Sequence, residues 1–127
     1  MEDSFHHILI VEDEPPLAGL LERLFGSAYS CATAATVAEA FRQLKAGSFQ
    51  LVLLDEVLPD GSGLALLQFI KATAPDTAVI VLSGRTDEQS VERAKQKGAD
   101  EFIAKPFDLV DVRSVVERTM ARKQTAA

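Results

Sequence analysis

Short runs of branched apolar residues alternate along this chain with stretches whose apolar residues recur every three or four positions, and few folds accept that alternation. "HILIV" (7–11), "LVLL" (51–54) and "AVIVL" (78–82) are too short for helices and rich in branched side chains, so they read as central strands. "YSCATA" (29–34) and "EFIA" (101–104) read as weaker strands flanking them. Leu17, Leu20, Leu21 and Leu24, then Val37, Ala40, Phe41 and Leu44, each keep the i, i+3, i+4, i+7 spacing of one helical face. Leu64, Leu67 and Ile70 mark a third helix, and Leu109, Val112, Val116 and Met120 a fifth running to about Arg122. The fourth, near Glu88 to Lys97, has only Val91 and Ala94 as apolar anchors and is expected to be the least firmly docked.

Five strands alternating with five helices predict an α/β doubly wound architecture: a parallel sheet covered on both faces by right-handed crossovers. A length of 127 residues suits one domain spanning 1–127, with a core of about 6–122 and a short polar tail, "RKQTAA". The net charge of -6 argues against nucleic acid or an anionic membrane surface as partners, because both require a positive patch. The lone cysteine, Cys31, excludes an internal disulfide and reads as a small buried apolar residue. No apolar run approaches the roughly 20 residues that span a bilayer, and "MEDSFHH" is acidic where a signal peptide would be basic. The expected location is the cytoplasm.

In doubly wound sheets the functional crevice lies beyond the carboxyl ends of the strands. The paired acids Asp55 and Glu56 sit there, in "LVLLDEVLPDGSGL" (51–64). Glu12 and Asp13 follow the first strand, Asp55 ends the third, Ser83 the fourth, and Lys105 follows the fifth. One rim therefore collects three carboxylates, a hydroxyl and an ammonium. Like charges about 4 Å apart repel by about 4 kcal/mol at an effective dielectric of 20, more than one lysine offsets. Hard carboxylate oxygens point to Mg²⁺, with Mn²⁺ able to substitute, and no His/Cys spacing favours zinc. A metal and Lys105 together would attract a phosphoryl group.

The fragments "ILIVEDEP", "LVLLDEVLPDGSGL", "VIVLSGR" and "GADEFIAKPF", in order and each at a strand end, resemble the receiver domain of two-component response regulators over essentially the whole length. That resemblance implies a flavodoxin-like (βα)5 sandwich with strand order 2-1-3-4-5. It implies that Asp55 accepts a phosphoryl group from a histidine kinase or phosphotransfer protein. Asp13, Asp55 and the backbone carbonyl of Val57 would ligate Mg²⁺, with Glu12 holding metal-bound water. Ser83 and Lys105 would bind phosphoryl oxygens, and Gly84 would leave the phosphate room to approach. Val57 and Arg85 would influence how water enters to reverse the reaction. Ser83 and Phe102 would form the switch, altering the surface of the fourth helix, fifth strand and fifth helix. That surface would serve a homodimer, a downstream protein or an output domain outside this chain. A cis peptide before Pro106 is also implied.

Plainer assignments apply elsewhere. Asp60 and Ser62 serve the "PDGSG" turn and the start of the third helix, and Glu14 is a favourable charge at the entry to the first. Arg113, Arg118 and Arg122 read as a solvated helix face. Among other functions, a phosphohydrolase of the haloacid dehalogenase type needs a second acid two residues after the nucleophile, where Val57 stands. A nucleotide- or flavin-binding module needs a glycine- or hydroxyl-rich first loop, and "VEDEPP" is acidic. A phosphorylation-independent scaffold would have no use for the set of Glu12, Asp13, Asp55, Ser83 and Lys105.

Overall fold

The computed structural model describes residues 6–125; the acidic start "MEDSF" and the final two alanines lie outside them. Five parallel strands, β1 (His7–Val11), β2 (Ser30–Ala34), β3 (Leu51–Asp55), β6 (Ala78–Ser83) and β7 (Glu101–Ala104), form one sheet in the order β2-β1-β3-β6-β7. This is the flavodoxin-like order expected, with a two-residue hairpin of β4 (Val57–Leu58) and β5 (Gly61–Ser62) inserted after β3. The hairpin occupies the segment read from sequence as a turn.

The helices are α1 (Pro15–Phe25), α2 (Val37–Ala46), α3 (Gly63–Thr73), α4 (Glu88–Gln96) and α5 (Leu109–Thr125). α5 continues three residues past Arg122, so most of the segment taken for a polar tail is helical. β3 and β6 are buried at every position, because helices cover both faces of a parallel sheet. Alternate residues feed two cores. Leu9, Val11, Val52, Leu54, Val79 and Val81 pack with α2, α3 and α4, while Ile8, Ile10, Leu51, Leu53, Ile80 and Leu82 pack with α1 and α5. Each such side chain stabilises the fold by about 1.5–3 kcal/mol through burial.

Local chemistry sets the helix starts. Pro15 and Pro16 open α1, where their missing N–H groups cost nothing. Thr36 caps α2 through the Glu39 N–H at 3.0 Å, and Asp60 reaches across from the hairpin to the Val37 and Ala38 N–H groups at 2.7 and 3.1 Å. Asp60 thus ties the loop after β3 to α2, beyond the local turn role expected of it. Ser62 caps α3 by accepting from the Leu64 N–H, as expected.

Two expectations about burial need correction. Leu20 is exposed, and the inward stripe of α1 is Leu17, Leu21, Leu24 and Phe25: the buried face is turned away from Leu20 toward Phe25. Cys31 is half-buried, because β2 is an edge strand only partly covered. No helix of the described residues is long and apolar enough to cross a membrane.

In α4 only Ser90 and Ala94 are buried, so its hold depends heavily on its cap. Asp87 accepts from the Ser90 N–H at 3.1 Å and hydroxyl at 2.9 Å, and these bonds hold its carboxyl below the ordinary value of 3.8. A depressed folded-state value means the cap stabilises above pH 3.8 and is lost as pH falls through the folded value. Amide protection factors in the first turn of α4 should therefore fall in that acidic window before those in α3 do, and Asp87→Ala should remove this pH dependence.

Candidate functional site

The strand order reverses between β1 and β3, so their carboxyl ends open a crevice. Backbone hydrogen bonds carry the ladder one step past the strand ends: Glu12 N–H to the Ala34 carbonyl at 2.9 Å, Glu56 N–H to Leu82 at 3.0 Å and Lys105 N–H to Ser83 at 2.8 Å. The rim residues are thereby part of the sheet's rigid frame. A pocket of about 340 Å³ is lined by Asp13, Glu14, Asp55, Val57, Ser83, Gly84 and Lys105.

Glu12, Asp13 and Asp55 each bring a carboxylate oxygen within 4.8 Å of the others. Glu12 is buried at 2 % exposure and Asp55 at 6 %, while Asp13 is half-buried. Lys105 Nζ donates to Asp55 Oδ2 at 3.1 Å and to Glu12 Oε1 at 3.2 Å. Burial pushes the Glu12 carboxyl above its ordinary value, and the Asp55 charge adds to that, against the Glu14 N–H and Lys105. Burial alone would lower Lys105, but the hydrogen bond and charge of Asp55, then those of Glu12, outweigh it and leave its value raised. Three hard carboxylate oxygens so close to one another suit a small divalent cation, so the donor set can hold a metal.

Val57 is exposed, with its N–H 3.4 Å from Asp55 Oδ1. A side chain at Gly84 would meet nothing within 4 Å, so this glycine faces open space. Phe102 is half-buried, its ring against the core cluster on the α2, α3 and α4 side. Lys105–Pro106 is a cis peptide. Arg122 pairs with Glu101 at 3.1 Å, so it does more than face solvent.

Two residues at the site carried no assignment from sequence. Glu56 is buried and its Oε1 accepts the Ser83 hydroxyl at 2.5 Å. Its place beside Asp55 was the available signal, but nothing in the string says which way its side chain turns. Gly63 donates its N–H to the Glu56 carbonyl at 2.7 Å, and a Cβ there would lie 2.2 Å from the Asp55 carbonyl oxygen. Gly63→Ala should accordingly lower stability by about 1–3 kcal/mol, read as a lower urea midpoint, with Gly47→Ala, where a Cβ meets nothing, as the benign control.

The response regulator receiver domain family matches residues 8–117. This chain belongs to that family. The receiver is 31% identical over 90% of its length to the DNA-binding transcriptional regulator NtrC of Rhizobium meliloti (strain 1021), and spans 24% of that protein. It is 35% identical over 91% of its length to the swarming motility regulation protein RssB of Serratia marcescens, spanning 53%. The chain thus covers a quarter to a half of these relatives. Among solved structures, a CheY-like receiver domain protein from Methanospirillum hungatei JF-1 matches with a TM-score of 0.93 at 25% identity, over 98% of this chain and 100% of that one. The beryllofluoride-activated NtrC4 receiver domain dimer matches with a TM-score of 0.85 at 31% identity, over 92% of this chain and 98% of that one.

Proposed function

We propose that this receiver is a phosphorylation-dependent switch in which Asp55 takes a phosphoryl group from a phosphohistidine of a histidine kinase or phosphotransfer protein. The observation that carries the reading is Asp55 itself: a buried carboxylate at the crevice, one oxygen held by Lys105 at 3.1 Å and the cluster of Glu12 and Asp13 beside it. An Asp55 oxygen attacks phosphorus in line, the P–N bond breaks with its electron pair passing to the imidazole nitrogen, and an acyl phosphate remains. Lys105 fixes the plane of the attacking carboxylate and stays beside it to pair with a phosphoryl oxygen.

Glu12, Asp13, Asp55 and the Val57 carbonyl would hold Mg²⁺, or Mn²⁺ in its place, with Glu12 acting through water. Bound there, the ion supplies positive charge to the phosphoryl oxygens. Gly84 leaves the approach open, and exposed Val57 and Arg85 flank the path by which water hydrolyses the acyl phosphate and resets the switch.

Ser83 and Phe102 carry the readout: the hydroxyl moves to a phosphoryl oxygen and the ring follows into the space vacated, changing the surface of α4, β7 and α5. That surface would meet a second copy, a downstream protein or an output domain beyond this chain. The cytoplasm is the compartment that suits such a donor. The dimeric state of the activated NtrC4 receiver supports the homodimer, and the short coverage of NtrC and RssB supports an attached output. Incubation with acetyl phosphate should add the mass of one phosphoryl group when Mg²⁺ is present and none with EDTA. A metal-independent gain would sink the role given to the carboxylates.

A further inference from the structure

Glu56 is a buried carboxyl at the rim for which phosphoryl transfer has no use. Its backbone is held on both sides, by the Leu82 carbonyl at 3.0 Å and the Gly63 N–H at 2.7 Å. Its Oε1 takes the Ser83 hydroxyl at 2.5 Å, and Ser83 Oγ in turn accepts the Arg85 N–H at 2.9 Å. Ser83 is itself 1 % exposed, so solvent competes little for its hydroxyl. A serine hydroxyl has a single proton to donate. While Glu56 holds it, no phosphoryl oxygen can.

Resting on the function above, we propose that Glu56 is a positioning residue: it latches the Ser83 hydroxyl in the unphosphorylated receiver and sets the threshold for switching. Ser83 must leave one anionic acceptor to serve another. A hydrogen bond to a carboxylate is stronger than one between neutral groups, and burial strengthens it further. A phosphoryl group shifts the equilibrium only by its differential interaction with the two states. The latch subtracts from that difference, because what Ser83 gains at the phosphate it first loses at Glu56. The geometry also helps explain why an acid is tolerated at a nearly dry position beside Asp55: its Oε1 is occupied by a donor within the same sheet end.

Beryllofluoride with Mg²⁺ serves as the phosphoryl probe, titrated against amide and side-chain resonances. Glu56→Leu removes the acceptor and should reach half-saturation at about tenfold lower beryllofluoride than wild type. Glu56→Gln keeps an acceptor oxygen and should fall between the two. It also stands in should the leucine variant not fold. In a Ser83→Ala background the Glu56→Leu effect should shrink to less than about twofold, because the pair acts as one unit. An undiminished effect in that background would trace to charge alone and overturn the latch, as would equal affinities of Glu56→Leu and wild type. The ligand-free proteins give an independent readout: Ser83 should occupy one rotamer in wild type and Glu56→Gln, and average in Glu56→Leu. A Ser83 rotamer indifferent to Glu56→Leu refutes the latch whether or not beryllofluoride binds. Failure of the wild type to bind it refutes the receiver function instead.

Discussion

Asp55→Asn should gain no phosphoryl group from acetyl phosphate and Mg²⁺ under conditions that label the wild type to completion. The substitution keeps the shape of the side chain and an oxygen able to accept from Lys105, now 3.1 Å from Oδ2. What it removes is the anionic oxygen pair, and a neutral amide is too poor a nucleophile for displacement at phosphorus. The fold should survive, since the charge lost is one of three carboxylates packed within 4.8 Å of each other. Intact mass with and without the phosphodonor reads the first expectation, and the thermal midpoint without metal reads the second. A mass gain persisting in Asp55→Asn would move the nucleophile to Asp13 or another carboxylate.

Lys105→Met should slow labelling of Asp55 by about 10²–10³ while leaving it as the labelled residue. Methionine matches the length of the stem and fills the same space, so the change isolates the ammonium. Among the described residues, Lys105 is the cation in contact with Glu12 and Asp55. Without it the Asp55 plane is no longer fixed, and the phosphoryl oxygens lose a positive partner as charge develops on them. The buried Glu12 carboxyl, already raised by burial, loses the charge and hydrogen bond that oppose that rise. The variant should therefore be less stable than wild type at neutral pH, where Glu12 must ionise beside Asp55 unaided. Single-turnover labelling rates and urea midpoints measure the two effects separately. A variant labelled at the wild-type rate would leave Lys105 a purely structural ion.

Much of the fold was legible because the three central strands, β1, β3 and β6, each announce themselves twice, by a branched apolar run and by a polar residue at or just past the carboxyl end. "LVLL" cannot be half-exposed, and β3 is buried throughout. The helices were legible where the stripe was broad, as in α2. They were misjudged where a leucine sat one position off the buried face, as Leu20 does. The length of α5 was underestimated for a different reason: a polar last turn gives no apolar signal, and backbone bonding carries the helix on to Thr125. The candidate site was found through order along the chain, since residues after parallel strands share one rim. Glu56 and Gly63 escaped because their parts depend on direction and approach. A side chain beside Asp55 can point to solvent or to Ser83, and a glycine after a serine cap looks like any helix start.

The alternation of the sequence by itself determined the layered α/β architecture and which residues stand at the sheet's carboxyl edge, because periodicity and connection handedness leave few ways to bury those runs. Only the tertiary structure decided who touches whom there. Lys105 meets Asp55 across 50 residues, and the Ser83 hydroxyl donates a hydrogen bond to Glu56 across 27. Such pairings depend on distances of a few tenths of an ångström, set by how five strands lie side by side, and no local pattern in the chain encodes them.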